Sequence, residues 1–172
     1  MLERERSCCF TGHRPEKLPW GEEEDDPRCG RLKEALARAV EEAYQAGSRH
    51  FIVGMARGCD LYFAEAVLEL REWREDVTLE CARPCEEQAD RWPSRERTRY
   101  QAILDHCNFE TLVQRRYDRA CMMRRNRYMV DHAGRLIAVY NGAPGGGTHQ
   151  TLVYARRRKL DIQILNLEDF SQ

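Results

Sequence analysis

Short apolar runs of strand length alternate along this chain with longer segments of helical period, and that alternation restricts the fold more than any other feature. RSCCF (6–10), HFIV (50–53), VTLECA (77–82), RLIAVY (135–140) and DIQILNL (161–167) read as strands. Between them lie amphipathic segments. Asp26-Pro27 opens the first, with Asp as cap and Pro tolerated in the first turn, and Leu32, Leu36, Val40 and Ala43 recur on one face before Gly47 closes it. LYFAEAVLELREW (61–73) is apolar around much of its circumference, fit for a core or a dimer face. CMMRRNRYMVDHA (121–133) carries Met122, Met129 and Val130 on one side, and TLVYARRRKL (151–160) is the last helix. The stretch 84–120 is expected to hold helical turns in EEQADRW (86–92) and RERTRYQAILDHC (95–107) and a short strand in ETLV (110–113).

Strands and helices in strict alternation with short connections form βαβ units, which demand a parallel sheet with right-handed crossovers. The expected fold is therefore α/β: a single Rossmann-like three-layer domain over residues 1–172, with a mostly parallel sheet and helices on both faces. Ligands of such sheets lie beyond the carboxyl ends of the strands. The loops that follow strands should then carry chemistry, and those that follow helices should not.

The sequence sorts in that way. After the first strand comes Thr11-Gly12-His13-Arg14, after the second Gly54-Met55-Ala56-Arg57-Gly58-Cys59-Asp60, and after RLIAVY comes Asn141-Gly142-Ala143-Pro144-Gly145-Gly146-Gly147-Thr148. The loops after helices read AGSR, REDV and HAGR. Glycine admits close approach of backbone amides to an anion, and a helix starting directly after such a loop adds free N–H groups and the positive end of its dipole. Arg14 and Arg57 add fork-shaped charge, and Thr148 can cap its helix or donate to a phosphate oxygen. Tight βα turns with no ligand remain the alternative. Neither a Walker loop nor GxGxxG is present, and GGGTHQT has no lysine after it, which excludes a P-loop ATPase pattern.

Composition removes other classes. The formal net charge is −1, with 42% hydrophobic and 33% charged residues, so no global field recruits nucleic acid or membrane. Basic segments at 91–99, 114–127 and 156–159 are expected to be solvated faces. No run of about 18 apolar residues is present, and the charged start MLERERSCCF lacks a signal-peptide core, so a cytoplasmic protein without a membrane partner is the expectation. Eight dispersed cysteines without a CxxC pair read as reduced thiols, and no metal site is expected.

Four polar residues stand out on helices. Glu65 is spaced to share the face of Leu61 and Leu68, where it could accept a ribose hydroxyl or act as a base; the alternative is an Arg-paired surface Glu. Asp60 is placed to cap the same helix or to act as an acid. Arg125 and Asn126 fall between Met122 and Met129, either bracing a loop or reaching a ligand. Trp20 and Trp92, each beside a proline, can pack in the ordinary way or stack on a base.

FTGHRPEKLPWG, GMARGCDLYFAEAVLEL, EEQADRW, RYQAIL, MMRRNRYMVDHAGRLIAVYNG and GGTHQTLVYA together resemble, in order and from about residue 8 to 166, the YpsA-like branch of the SLOG superfamily. The resemblance implies a Rossmann-like fold and a nucleotide-derived ligand held by Gly12-His13-Arg14, by Gly54–Asp60 with Glu65, and by Gly145–Thr148. GMARGCDLYFAE is also similar to a segment of the DNA-processing protein A family, although Glu65 stands where that family tends to carry His. The final loop resembles the PGGxGTxxE motif of the LOG phosphoribohydrolases, but it is shortened after PGG, and Thr151 stands where the motif's Glu would fall.

Three functions follow as expectations. The first is a sensor or regulator that binds a nucleotide or an ADP-ribose-like ligand. The second is a hydrolase acting on an N-glycosidic or phosphate bond, with Asp60 or Glu65 as the carboxylate. The third is a single-stranded nucleic-acid binder using the Arg-rich 91–127 stretch. A homo-oligomer is compatible with each.

Overall fold

The computed structural model describes residues 3–172; Met1 and Leu2, the first two residues of the charged N-terminal stretch, lie outside the described residues. The chain runs β1 (Ser7–Thr11), α1 (Pro27–Gln45), β2 (His50–Val53), α2 (Cys59–Trp73), β3 (Thr78–Arg83), α3 (Ser94–His106), β4 (Phe109–Leu112), α4 (Cys121–Asp131), β5 (Arg135–Tyr140), α5 (Gly147–Arg157) and β6 (Asp161–Asn166). One six-stranded sheet has the order β4-β3-β2-β1-β5-β6, and every pairing is parallel. This is the α/β three-layer, Rossmann-like architecture that the alternation requires.

Strand periodicity assigns the two faces. Cys8, Phe10, Phe51, Val53, Leu79 and Cys81 pack with α1, α2 and α3 in the larger core. Cys9, Ile52, Ala82, Leu136 and Ala138 pack with α4 and α5 in the smaller one. Phe10 and Phe63 stack at 4.5 Å in the larger core, both fully buried, each removal from water favouring the fold by about 1.5–3 kcal/mol. The helices change face because the chain changes direction. It steps outward from β1 to β4, then crosses to β5 on the other side of β1, and right-handed crossovers place the later helices on the opposite face.

Local signals account for the element ends. Asp26 caps α1, accepting from the Arg28 N–H at 2.9 Å, with Pro27 as the first helical residue. Gly47, at φ 112°, ends the following turn. Two helical expectations need correction. EEQADRW forms successive turns rather than helix, since Trp92 and Pro93 stand at its end and α3 begins only at Ser94. The last helix starts at Gly147, four residues before the expected Thr151, with Gly146 as its cap position. All eight cysteines are free. Among the described residues no helix is long and apolar enough to cross a membrane.

Candidate functional site

The sheet order places a topological switch point between β1 and β5, whose following loops run apart and leave a crevice. A cleft of about 400 Å³ lies there. Four separated parts of the chain line it: Thr11, Gly12, His13, Arg14, Glu16 and Lys17 after β1; Ala56 and Asp60 around the start of α2; Met122, Arg125 and Asn126 of α4; and Gly147 and Thr148 at the start of α5.

Close packing stitches these loops together. The His13 carbonyl accepts from the Cys59 N–H at 3.1 Å, and His13 Nε2 accepts from the Asn141 N–H at 3.1 Å. The second contact fixes the ring proton on Nδ1. Burial, then the charge of Lys17, lowers the His13 pKa, so the ring is neutral near pH 7. A Cβ on Gly12 would sit 2.7 Å from Cys59 Cβ, and one on Gly58, at φ 81°, would sit 2.8 Å from the His13 carbonyl oxygen. Both glycines therefore serve the meeting of the β1 loop with α2.

Arg125 is buried, its guanidinium donating to the Gly54 carbonyl and, at 2.8 Å, to Asn126 Oδ1. Arg125 thus braces the loop after β2, one of the two expectations, and its side chain also lines the cleft. Asp60 is also buried and accepts from the Ala56 N–H at 2.9 Å. Burial raises its pKa against the opposing charge of Arg125, the Ala56 hydrogen bond and the charge of Arg14. Burial lowers the Arg125 pKa, and Asp60 opposes that shift. The pair is electrostatically coupled across the floor of the cleft, while Arg14 and Lys17 stand exposed at its mouth.

At the start of α5, the N–H groups of Gly147 and Thr148 precede the helix's first backbone bond, from Gln150 N to the Gly146 carbonyl. They and the dipole face the same cleft as Arg14, Lys17 and Arg125, an arrangement suited to an anion. Nothing in this geometry resembles a nucleophile held by a base. Among the described residues no group of three or more His, Cys, Asp or Glu side chains could hold a metal ion.

Several expected residues are elsewhere. Arg57 is not among the residues lining the cleft; Glu16 (3.3 Å), itself a lining residue, Glu22 and Glu96 hold its guanidinium. Glu65 is exposed, because the buried stripe of α2 runs through Asp60, Phe63, Ala64 and Val67, and it pairs with Arg99. Asp60 does not cap α2: the helix begins at Cys59 with Gly58 before it, and the Asp60 carboxylate reaches back to Ala56. Thr148 does not cap α5 either, since it sits inside the first turn. Gly54 lies behind Arg125, Asn141 backs His13, Gly146 lies against Lys17, and Gly145 faces a groove of about 500 Å³ between α4 and α5. That groove is larger than the cleft, but it lies on the helical surface away from β1 and Asp60. Sequence reading missed Lys17 and Glu16 as lining residues. The signal was their place in the same strand-following loop, where Pro15–Lys17 form a short 3-10 turn that swings both side chains to the cleft.

The basic stretch 91–127 is neutralised in part. Arg99 pairs with Glu24 and Glu65, Arg115 with Glu86, Arg116 with Glu87, and Arg124 with Asp118. Arg91, Arg95, Arg97, Arg119 and Arg127 of the same stretch are exposed.

Comparison with known proteins places the chain in a family. The model of the YspA SLOG family (YpsA) matches residues 8–170. The prophage-derived protein YoqJ of Bacillus subtilis is 29% identical over 160 residues, covering 85% of this chain and 93% of that protein. The UPF0398 protein YpsA of the same organism is 24% identical over 152 residues, covering 87% and 84%. A UPF0398 protein of Halalkalibacterium halodurans is 24% identical over 144 residues, covering 80% and 76%. With a match that spans both arms of the cleft and nearly the whole sheet, this chain belongs to the YspA SLOG family.

Proposed function

We propose that the protein binds a nucleotide or nucleotide-derived anion, of the ADP-ribose type in chemistry, in the cleft between β1 and β5, as a sensor or regulatory protein. The observation that carries this reading is the convergence of four separated chain segments on one cleft whose cations are Arg14, Lys17 and Arg125 and whose lining includes the start of α5. Arg14 supplies a fork to phosphate oxygens at the mouth. Lys17 supplies a mobile point charge. The amides of Gly147 and Thr148 supply neutral donors that need no desolvation of a full charge. Arg125, already committed to Gly54 and Asn126, supplies a fixed field rather than a flexible clamp.

Binding to the native state alone raises stability by about 2.7 kcal/mol at one hundred times Kd. For a chain of this length that is a rise in Tm of roughly 5–11 °C. A thermal-shift screen over nucleoside mono- and diphosphates, dinucleotides and ADP-ribose should therefore contain a clear hit. Arg14→Ala, an exposed position, should leave the unliganded Tm unchanged and weaken that hit about tenfold. No hit across the screen, or a hit indifferent to both Arg14→Ala and Lys17→Ala, refutes the assignment.

A hydrolase reading rests on Asp60, the buried cleft carboxylate, whose pKa burial raises, since Glu65 lies outside and the exposed Glu16 pairs with Arg57. In that case free base or phosphate appears on incubation with the hit, and Asp60→Asn abolishes product while retaining binding. A ligand recovered intact supports the sensor.

A further inference from the structure

Beyond the end of β3, a second cavity of about 450 Å³ is lined by Glu87, Gln88, Asp90, Trp92, Tyr117 and Met122, among others. Met122 also lines the cleft between β1 and β5, so one side chain separates the two spaces. We propose that this second cavity is the nucleoside half of the site, holding a base and its ribose while the phosphates lie in the cleft; the assignment rests on the anion-binding reading above.

Two aromatic rings are placed for a base. Trp92 is half-buried and held edge-on by Tyr100, with ring centroids 5.1 Å apart at 77°. Tyr117, in the turn ahead of α4, is 60% exposed. A broad ring left this open beside a concave wall is an unfilled stacking surface, and stacking a base on an aromatic contributes about 1–3 kcal/mol without regard to which base it is. Trp20, the other proline-flanked tryptophan, is buried and donates to the Tyr62 hydroxyl, so it belongs to the core.

The wall chemistry suits a sugar. Glu87 and Asp90 bring two carboxylates, and Glu87 Oε1 is buried without a hydrogen bond among the described residues, its nearest cation being Arg116 at 3.9 Å. The accessible carboxylate of Asp90 and the exposed part of Glu87 are acceptors of the kind a ribose hydroxyl donates to. The two cavities thus differ in sign. The cleft sets Arg14, Lys17 and Arg125 against Glu16 and Asp60, and the β3 cavity sets Arg91 against Glu87 and Asp90. A molecule with an anionic end and a hydroxyl-bearing end is favoured in one direction, because the reverse sets phosphates in the cavity where carboxylates outnumber cations. Gln88 makes the junction rigid: its amide donates to the Gly54 carbonyl at 2.9 Å, the same oxygen that Arg125 engages, and its own oxygen accepts from Tyr100 at 2.8 Å. The volume lies within the range of about 300–1,000 Å³ usual for small-molecule sites.

Titration calorimetry with ADP, GDP, CDP and UDP, and with inorganic pyrophosphate as the nucleoside-free probe, separates the two halves. Tyr117→Ala should weaken the tightest nucleoside diphosphate about 5- to 150-fold, as the stacking contribution requires. Glu87→Gln should weaken it several-fold. Neither should alter pyrophosphate binding, whereas Arg14→Ala should weaken both probes. Ligand-dependent quenching of tryptophan fluorescence should vanish in Trp92→Phe. If Tyr117→Ala and Glu87→Gln bind every nucleoside diphosphate within twofold of wild type while Arg14→Ala does not, the nucleoside assignment falls and the phosphate assignment stands. Pyrophosphate binding as tight as that of the nucleotides likewise overturns the nucleoside half alone. If no probe binds, both assignments fall.

Discussion

Gly12→Ala and Gly147→Ala each add one methyl group at a cleft-lining position, and only the first should destabilise the fold. At Gly12 a Cβ would lie 2.7 Å from Cys59 Cβ and 2.9 Å from the edge of the Phe10 ring, where ordinary carbon contacts begin near 3.5 Å. Neither neighbour can yield: Phe10 is stacked on Phe63, and Cys59 is fixed by its N–H bond to His13. Overpacking of this kind destabilises by about 1–3 kcal/mol. Taking about 2 kcal/mol, Tm should fall by roughly 4–8 °C. At Gly147 nothing lies within 4 Å of the added carbon, and the residue opens a helix. There alanine should leave Tm unchanged or raise it by up to about 2 °C, through the lost freedom of the unfolded chain. Ligand affinity should nonetheless fall, because the methyl occupies cleft volume beside the free amides. Differential scanning calorimetry of both variants, with and without the best nucleotide, reads all of these effects. A Gly12→Ala protein melting within 1 °C of wild type would refute the close approach of β1 and α2. A loss of more than about 1 kcal/mol in Gly147→Ala would refute the open environment at the start of α5.

Tyr128→Phe tests the buried network at the other end of α4. There the Tyr128 hydroxyl donates to Glu80 at 2.5 Å, beside His50 at 2.7 Å and Thr111 at 2.8 Å. Burial alone would raise the Glu80 pKa, but hydrogen bonds from His50, Tyr128 and Thr111 outweigh it and the value lies below that of an ordinary Glu. The stability that Glu80 contributes is therefore complete above the ordinary carboxylate pKa and is lost as pH falls through the lowered folded value. Tyr128→Phe should cost about 1.5–3 kcal/mol at pH 7 in urea titration. Because Glu80 is less depressed in the variant, the difference from wild type should shrink on acidification; a difference independent of pH between 7 and 3 contradicts the network. Arg57→Ala should leave nucleotide affinity within about threefold of wild type, since the guanidinium serves Glu16, Glu22 and Glu96 and not the cleft. It should lower Tm by a few degrees, less at 1 M salt, where the released carboxylates repel one another weakly.

The βαβ alternation made the layers legible because each strand run is short, apolar and bounded by special residues, and because right-handed crossovers leave few ways to arrange them. Loops after strands were legible for the same reason, so Gly12–Arg14 and Gly147–Thr148 could be placed on one rim without a structure. What each glycine is for was not legible. Gly12, Gly54 and Gly58 make room for Cys59, Arg125 and the His13 carbonyl, whereas Gly145 and Gly147 face open space. Spacing alone does not separate the two uses. Charged side chains were the least legible. Arg57 and Glu65 sit on the expected elements, but several carboxylates and arginines distant in sequence compete for them, and long side chains follow the nearest partner. EEQADRW misled because its polar–apolar spacing fits a helix as well as it fits successive turns ahead of Pro93.

Helix α4 is tied to the sheet at two points. Arg125 grips the Gly54 carbonyl past the end of β2, and Tyr128, about one turn later, grips Glu80 within β3. A rod bolted twice to the same plate neither slides nor rolls without shearing both bolts. The wall of the cleft that α4 forms is consequently an anvil, and any tightening around a guest falls to the opposite side. There Asn141–Gly146 form a largely exposed span with positive φ at Gly142 and Gly145, tied at its start by the Asn141 N–H to His13.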